Sequence, residues 1–283
     1  MNKFFILFLM LGLLFGCGQE LHQSVKKEAN NKNAQTYLDM GIEKGALGDY
    51  TGAMQDYSKA IELDPEDAKA YFRRGLTKGL LGDHTGAMQD YSKAIKLNPA
   101  DAEAYYGRGL AKYSLEDYTG AMQDYSKAIE LDPEYTEAYY WRGLAKYILQ
   151  DYTGAMQDYS KTIKLNPADA EAYYGRGLAK GLLEDYTGAM QDFNEAIKLN
   201  PEYAEAYYGR GLVKYFLGDH AGSMQDYSKA IKLNPADAEA YYGRGLAKYY
   251  LEDDQGALSD LSKAGELGYT QAYELIREIQ QQM

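Results

Sequence analysis

Six prolines stand at one spacing: Pro65, Pro99, Pro133, Pro167, Pro201 and Pro235 follow one another every 34 residues. A fixed period of this length means one supersecondary unit copied along the chain. It confines the fold to architectures that stack such units. Counted from Ala34, seven repeats fill residues 34–67, 68–101, 102–135, 136–169, 170–203, 204–237 and 238–271. A length of 283 residues would by itself suggest about two domains. The period predicts one continuous array instead.

The third repeat, AEAYYGRGLAKYSLEDYTGAMQDYSKAIELDPEY, shows the content of all seven. Tyr105, Gly109 and Lys112 are spaced by four and three, and so are Ala121, Tyr125 and Ala128. That is the stripe of an α-helix, twice. Between the stripes Glu116 and Asp117 offer a capping acceptor and early negative charge for the second helix. Pro133 ends that helix, because the residue before a proline is pushed out of the α region. Each repeat therefore reads as helix–turn–helix, and no stretch has the alternation of a strand. After the last repeat, Tyr273, Leu275, Ile276 and Ile279 are apolar within 272–283, which predicts a capping helix.

With Tyr at the fourth position, Gly at the eighth, Ala at the twentieth, an aromatic at the twenty-fourth, Ala at the twenty-seventh and Pro at the thirty-second, the unit resembles the tetratricopeptide repeat (TPR). The fourth position is Tyr in every repeat, from Tyr37 to Tyr241, and the eighth is always Gly, from Gly41 to Gly245. Departures are few: Thr162 and Ser223 replace an Ala, Leu261 the aromatic and Tyr269 the proline. The resemblance implies an all-α fold, a right-handed α-solenoid of paired helices. Small Gly and Ala would let the two helices approach, with the large Tyr filling the space beside them.

In such solenoids the first helix of each unit lines a concave groove, and the resemblance assigns ligand contact to positions two, five, six, nine, twelve and thirteen. The fifth position supplies Phe72, Tyr106, Tyr140, Tyr174, Tyr208 and Tyr242. The sixth supplies Arg73 and Trp141 and is otherwise mostly Gly, read as opening space. The twelfth supplies Tyr113, Tyr147, Tyr215 and Tyr249, alternating with Gly45, Gly79 and Gly181. Glu103, Glu137, Glu171, Glu205 and Glu239 would form an acidic edge. A tyrosine floor gives large contact area with a polar tip at low entropy cost. The expected partner is a protein or peptide, neutral or basic. The Lys, Asn and Arg clamp with which some TPR domains hold a C-terminal carboxylate is absent from these positions.

Repeated charges read as structure. Arg recurs at the seventh position, Arg74 to Arg244, and Asp at the twenty-third, Asp56 to Asp260. Opposite signs at one period predict pairing between the helices. Lys112, four residues after Arg108, needs a carboxylate, with Asp117 and Asp124 as candidates. His84 and His220 take the place of a packing aromatic at the seventeenth position. Nothing at this level accounts for the Gly at the nineteenth, Gly52 to Gly256, which weakens a helix interior by up to ~1 kcal/mol.

Composition excludes several functions. Thirty Lys and Arg against 42 Asp and Glu give a net charge of −12, so nucleic acid is not an expected partner. One Cys and three His leave no basis for a metal site, and no cofactor motif is present. The expectation is a non-enzymatic scaffold or adaptor. A spacer or self-associating array is the alternative; a carboxylate-based hydrolase is a remote one, because its catalytic pair would be unique rather than periodic.

The N-terminus makes a separate statement. Phe4 to Phe15 is an unbroken apolar run after Lys3, about the length of a signal-peptide core and shorter than the ~20 residues a spanning helix needs. Leu14-Phe15-Gly16-Cys17 resembles the lipobox of bacterial lipoproteins, which implies that residues 1–16 are a signal peptide and that Cys17 is acylated. Residues 17–33 then read as lipidated Cys plus flexible tether, with no metal role for His22. The resemblance implies a lipid anchor in the bacterial cell envelope, with Gly18 after the Cys favouring the outer membrane over the inner.

Overall fold

The computed structural model describes residues 26–282, and Cys17 lies outside them. Among the described residues the regular structure is entirely helical. The helices group into two compact bodies, which meet in sequence at Pro133 and Glu134. In a stack each repeat touches only its neighbours, so nothing longer in range ties distant repeats into one core.

The first body holds α1 (26–46), α2 (Tyr50–Leu63), α3 (Ala68–Leu80), α4 (His84–Leu97), α5 (Ala102–Ser114) and α6 (Tyr118–Leu131). The second holds α7 (Thr136–Ile148), α8 (Tyr152–Leu165), α9 (Ala170–Leu182), α10 (Tyr186–Leu199), α11 (Ala204–Phe216), α12 (His220–Leu233), α13 (Ala238–Tyr250), α14 (Asp254–Glu266) and α15 (Ala272–Gln282). Helix α1 is described from residue 26, inside the segment read as a tether. Lys26 to Asn33 lacks an apolar stripe but carries no Pro or Gly either, so it extends the helix whose buried face starts at Ala34 and Leu38.

Within a repeat the two helices pack antiparallel-wise through the positions expected. A Cβ added to Gly109 would come within 2.6 Å of the Tyr125 ring, so the eighth position must stay bare. Gly109→Leu would overpack this contact at a cost of roughly 1–3 kcal/mol. The sixth position behaves the same way. A Cβ on Gly107 would lie 2.6 Å from the Tyr91 ring of the preceding repeat, and one on Gly175 2.7 Å from that of Tyr159. Glycine there is not open space, as its small size suggested; it is where one repeat's ring enters the next.

The nineteenth-position Gly now has its reason. Asp117 caps α6 by accepting the Gly120 N–H at 2.9 Å, and a Cβ on Gly120 would collide with that carboxylate. The same holds from Asp49 and Gly52 to Asp253 and Gly256. A cap contributes ~1 kcal/mol, which offsets the helix propensity that glycine loses.

The charges pair as expected. Arg108 donates from Nε and Nη2 to the two oxygens of Asp124 at 2.9 and 2.6 Å, while Lys112 Nζ stands 2.8 Å from Oδ2. Asp124, not Asp117, is therefore the partner of Lys112. Arg108 Nη1 also reaches Ser92 of the preceding repeat at 3.3 Å, and Arg74, Arg176, Arg210 and Arg244 reach back in the same way, so these arginines each tie two repeats. The six Asp residues from Asp90 to Asp260 are 3–5% exposed and each faces one Arg and one Lys. Burial with two cations makes them structural, since removing one partner would strand a buried charge. They offer no ladder to a ligand.

Candidate functional site

The fifth-position rings are half-buried and each leans on the twenty-fourth-position ring of its own repeat. Phe72 meets Tyr91 edge-on at 5.7 Å and Tyr106 meets Tyr125 at 5.9 Å. In the second body Tyr140 packs on Tyr159 at 5.8 Å, Tyr174 on Phe193 at 5.9 Å and Tyr208 on Tyr227 at 5.6 Å. Tyr242 instead has Tyr269 at 4.7 Å. The twelfth-position rings are also half-buried and rest on position seventeen: Tyr113 on Tyr118 at 5.1 Å, Tyr147 on Tyr152 at 5.5 Å and Tyr215 on His220 at 5.3 Å. Tyr249 lies 5.8 Å from Tyr250. His220 stacks on Tyr250 at 4.7 Å, the packing role expected of it. Arg73 is exposed beside Phe72, and Trp141 is half-buried edge-on to Tyr140. The tyrosines are thus partly core and partly surface, one ring serving both.

One residue absent from the sequence-based set stands among them. Tyr203 occupies the N-cap of α11, where Asp67, Asp101, Asp169 and Asp237 cap the corresponding helices with their carboxylates. Tyr203 makes no side-chain cap; its ring lies 5.0 Å from Tyr174. Tyr135 replaces the cap of α7 in the same way. Forgoing a cap costs ~1 kcal/mol. The break in an otherwise regular Asp column was a signal available in the sequence.

Electrostatics gather these groups into one site. Burial, then the Tyr174 and Tyr140 hydroxyls and the carboxylates of Glu171 and Glu205, hold the Tyr203 hydroxyl well above the ordinary phenol range. Tyr174 is pushed up to about 12, by burial first and then by Glu205, Tyr147, Glu239 and Asp237. Burial and Glu239 likewise raise Tyr208. The second body therefore brings together Tyr140, Tyr174, Tyr203 and Tyr208 with Glu171, Glu205 and Glu239. Such a surface offers ring faces to apolar groups and cations, and carboxylates to N–H donors and positive charge.

These features define an all-helical repeat protein with a face of tyrosines and carboxylates. A TPR repeat family model matches residues 46–82, 79–115, 109–149, 143–183, 182–218 and 214–251, and the chain belongs to the tetratricopeptide repeat family. Among curated proteins none matches it. Its structure is similar to that of the MamA protein, with a TM-score of 0.57 and 29% identity over 62% of this chain and 95% of that one. It is similar to YrrB, a TPR protein with an unusual peptide-binding site, with a TM-score of 0.56 and 25% identity over 66% and 97% of the two chains. A TPR protein from Parabacteroides merdae shares the fold with a TM-score of 0.64 and 24% identity over 88% and 97%.

Proposed function

We propose that this chain is a non-enzymatic scaffold that holds a segment of a partner protein against the tyrosine row of the second body. Tyr203 carries the reading: a helix cap is given up and a half-buried ring takes its place beside Tyr174 and two carboxylates. The peptide-binding site of YrrB, a 25% identical structural relative, supports a peptide or protein as ligand. The carboxylates favour a neutral or basic segment. We further propose that acylation of Cys17 anchors the chain to a bacterial envelope membrane, the outer more than the inner, where it serves the assembly of envelope complexes.

Tyr203→Asp restores the missing cap while removing the ring. The two effects are each about 1 kcal/mol, so stability stays within about 1 kcal/mol of wild type. In-cell crosslinking of the full chain should give a partner adduct that the Tyr203→Asp, Tyr174→Ala variant loses while its helicity is unchanged. The same adduct from both chains would remove the tyrosine row from the account. The anchor is tested by feeding cells a clickable palmitate analogue: Cys17→Ser should be unlabelled, and a labelled variant would contradict it.

A further inference from the structure

The alternation of Tyr and Gly at the twelfth position has a structural consequence. Where it is Tyr147, the ring rests on Tyr152. Where it is Gly181, a Cβ would meet no atom within 4 Å, and a cavity of about 330 Å³ opens between α9, α10 and α11, with Tyr147 of α7 also on its lining. Leu178, Leu182, Leu212 and Phe216 wall it, the Phe193 ring lines its base, and Glu184 stands at its rim. One water occupies ~30 Å³ of liquid, so the space suits a whole large side chain rather than a single solvent molecule.

Large apolar side chains stand exposed around the opening. Leu182 is 51% exposed, Phe216 60% and Leu217 55%. Contiguous apolar exposure of this kind marks an interaction surface. The charges beside it have one sign: the turns 182–186 and 216–220 contain Glu184, Asp185 and Asp219 and neither Lys nor Arg. Asp185 and Asp219 each give an oxygen to a helix cap, and Glu184 is the carboxylate on the cavity's lining. Glu184 holds a left-handed backbone, φ 63°, as Glu116, Gln150 and Glu252 do at the same position, where Gly82 and Gly218 serve in other repeats. A side chain in that region costs about 1 kcal/mol or more.

We propose that this cavity is a subsite for one large apolar side chain of a polypeptide, flanked in the partner by Lys or Arg. The proposal rests on the function above and adds to it the chemistry of one anchor residue. Charge complementarity selects this occupant. An anionic bilayer would be repelled by the same carboxylates, and a second copy of the chain docking face to face would set like charges against each other. A basic segment is attracted by the rim and by the net charge of −12. Its apolar anchor is desolvated between the leucines.

The test uses the full chain and a fluorescein-labelled peptide with one tryptophan between two pairs of lysines, followed by anisotropy. Wild type should bind it saturably. Gly181→Tyr fills the cavity with the residue that four repeats already carry there, so the fold is kept, as circular dichroism would verify. It should bind at least about tenfold more weakly, the scale of a lost hot-spot side chain. Replacing the tryptophan by alanine, or the lysines by glutamates, should weaken binding as much. Equal binding by Gly181→Tyr, equal binding of the alanine peptide, or no saturable binding by wild type would each overturn the subsite. A change in oligomeric state caused by Gly181→Tyr would overturn it in favour of self-association. Peptide binding lost in the Tyr203→Asp, Tyr174→Ala variant but intact in Gly181→Tyr would overturn the subsite alone. Failure of the tyrosine row is read separately, from the crosslinked partner.

Discussion

Each body opens a cavity at a twelfth-position glycine, and the two differ instructively. The first, about 240 Å³, lies beside Gly79 between α3, α4 and α5, with Leu76, Leu80 and Leu110 as walls and the Tyr91 ring at its base. The second, about 330 Å³, lies beside Gly181, three periods further on, with Phe193 at its base. Backbone and leucines correspond. What changes is the lining: Ser114 stands where the second has Phe216, Ala111 where it has Val213, His84 where it has Tyr186, and Gly82 where it has Glu184. The comparison teaches that glycine at position twelve leaves the space, whereas the residues around it, at positions thirteen and fifteen above all, give it its chemistry. One cavity is a plain gap with a polar wall; the other has an aromatic lip and a carboxylate.

That contrast can be transferred. Ser114→Phe with Gly82→Glu should give the first body a working subsite, so that the bound tryptophan-lysine peptide rises from one per chain to two at saturation in a calorimetric titration. A stoichiometry that stays at one would show that rim identity does not set recognition.

A smaller effect is expected from removing the Glu184 carboxylate. Glu184→Gly should weaken the basic peptide by about three- to tenfold at low ionic strength and much less at high salt, since an exposed charge is screened. Chemical denaturation should find its stability unchanged or raised by up to about 1 kcal/mol, because glycine relieves the left-handed backbone at some entropic cost. Affinity independent of both the substitution and salt would remove electrostatics from the rim.

The smallest effect concerns the rings at the base. Burial raises the Tyr91 hydroxyl far above the ordinary phenol value, whereas Phe193 has nothing to ionise. A raised folded-state value contributes stability that is fully present below about pH 10 and is lost as pH climbs further. Tyr91→Phe should therefore move the midpoint of alkaline unfolding upward, by roughly a few tenths of a pH unit. A midpoint that falls would mean the hydroxyl stabilises the alkaline form.

Much of the fold was legible because a repeat shows each interaction many times. The recurrence of Arg108 and Asp124 at fixed positions announced their pairing, and Asp117 announced its cap. Gly107 was misread because small size is equally consistent with a vacancy and with a close approach, and only the ring of the preceding repeat distinguishes them. The same ambiguity hid the cavity at Gly181, where no ring arrives. Its lining comes from helices on three successive repeats, a juxtaposition that a period implies but does not describe. The groove residues were assigned by resemblance, which does not show that Tyr106 or Tyr147 would be shared between core and surface. Tyr203 was visible as an exception, and exceptions in a regular array carry the information that the regularity does not.

The central claim is that the second body seats a large apolar side chain beside Gly181. A peptide of the same lysine pattern with a benzophenone side chain in place of tryptophan, photolysed on the wild-type chain and mapped by mass spectrometry, asks this directly. Adducts should fall on Leu182, Leu212 or Phe216. Adducts confined to Leu76, Leu80 and Leu110, or to Tyr174 and Tyr203, would contradict it.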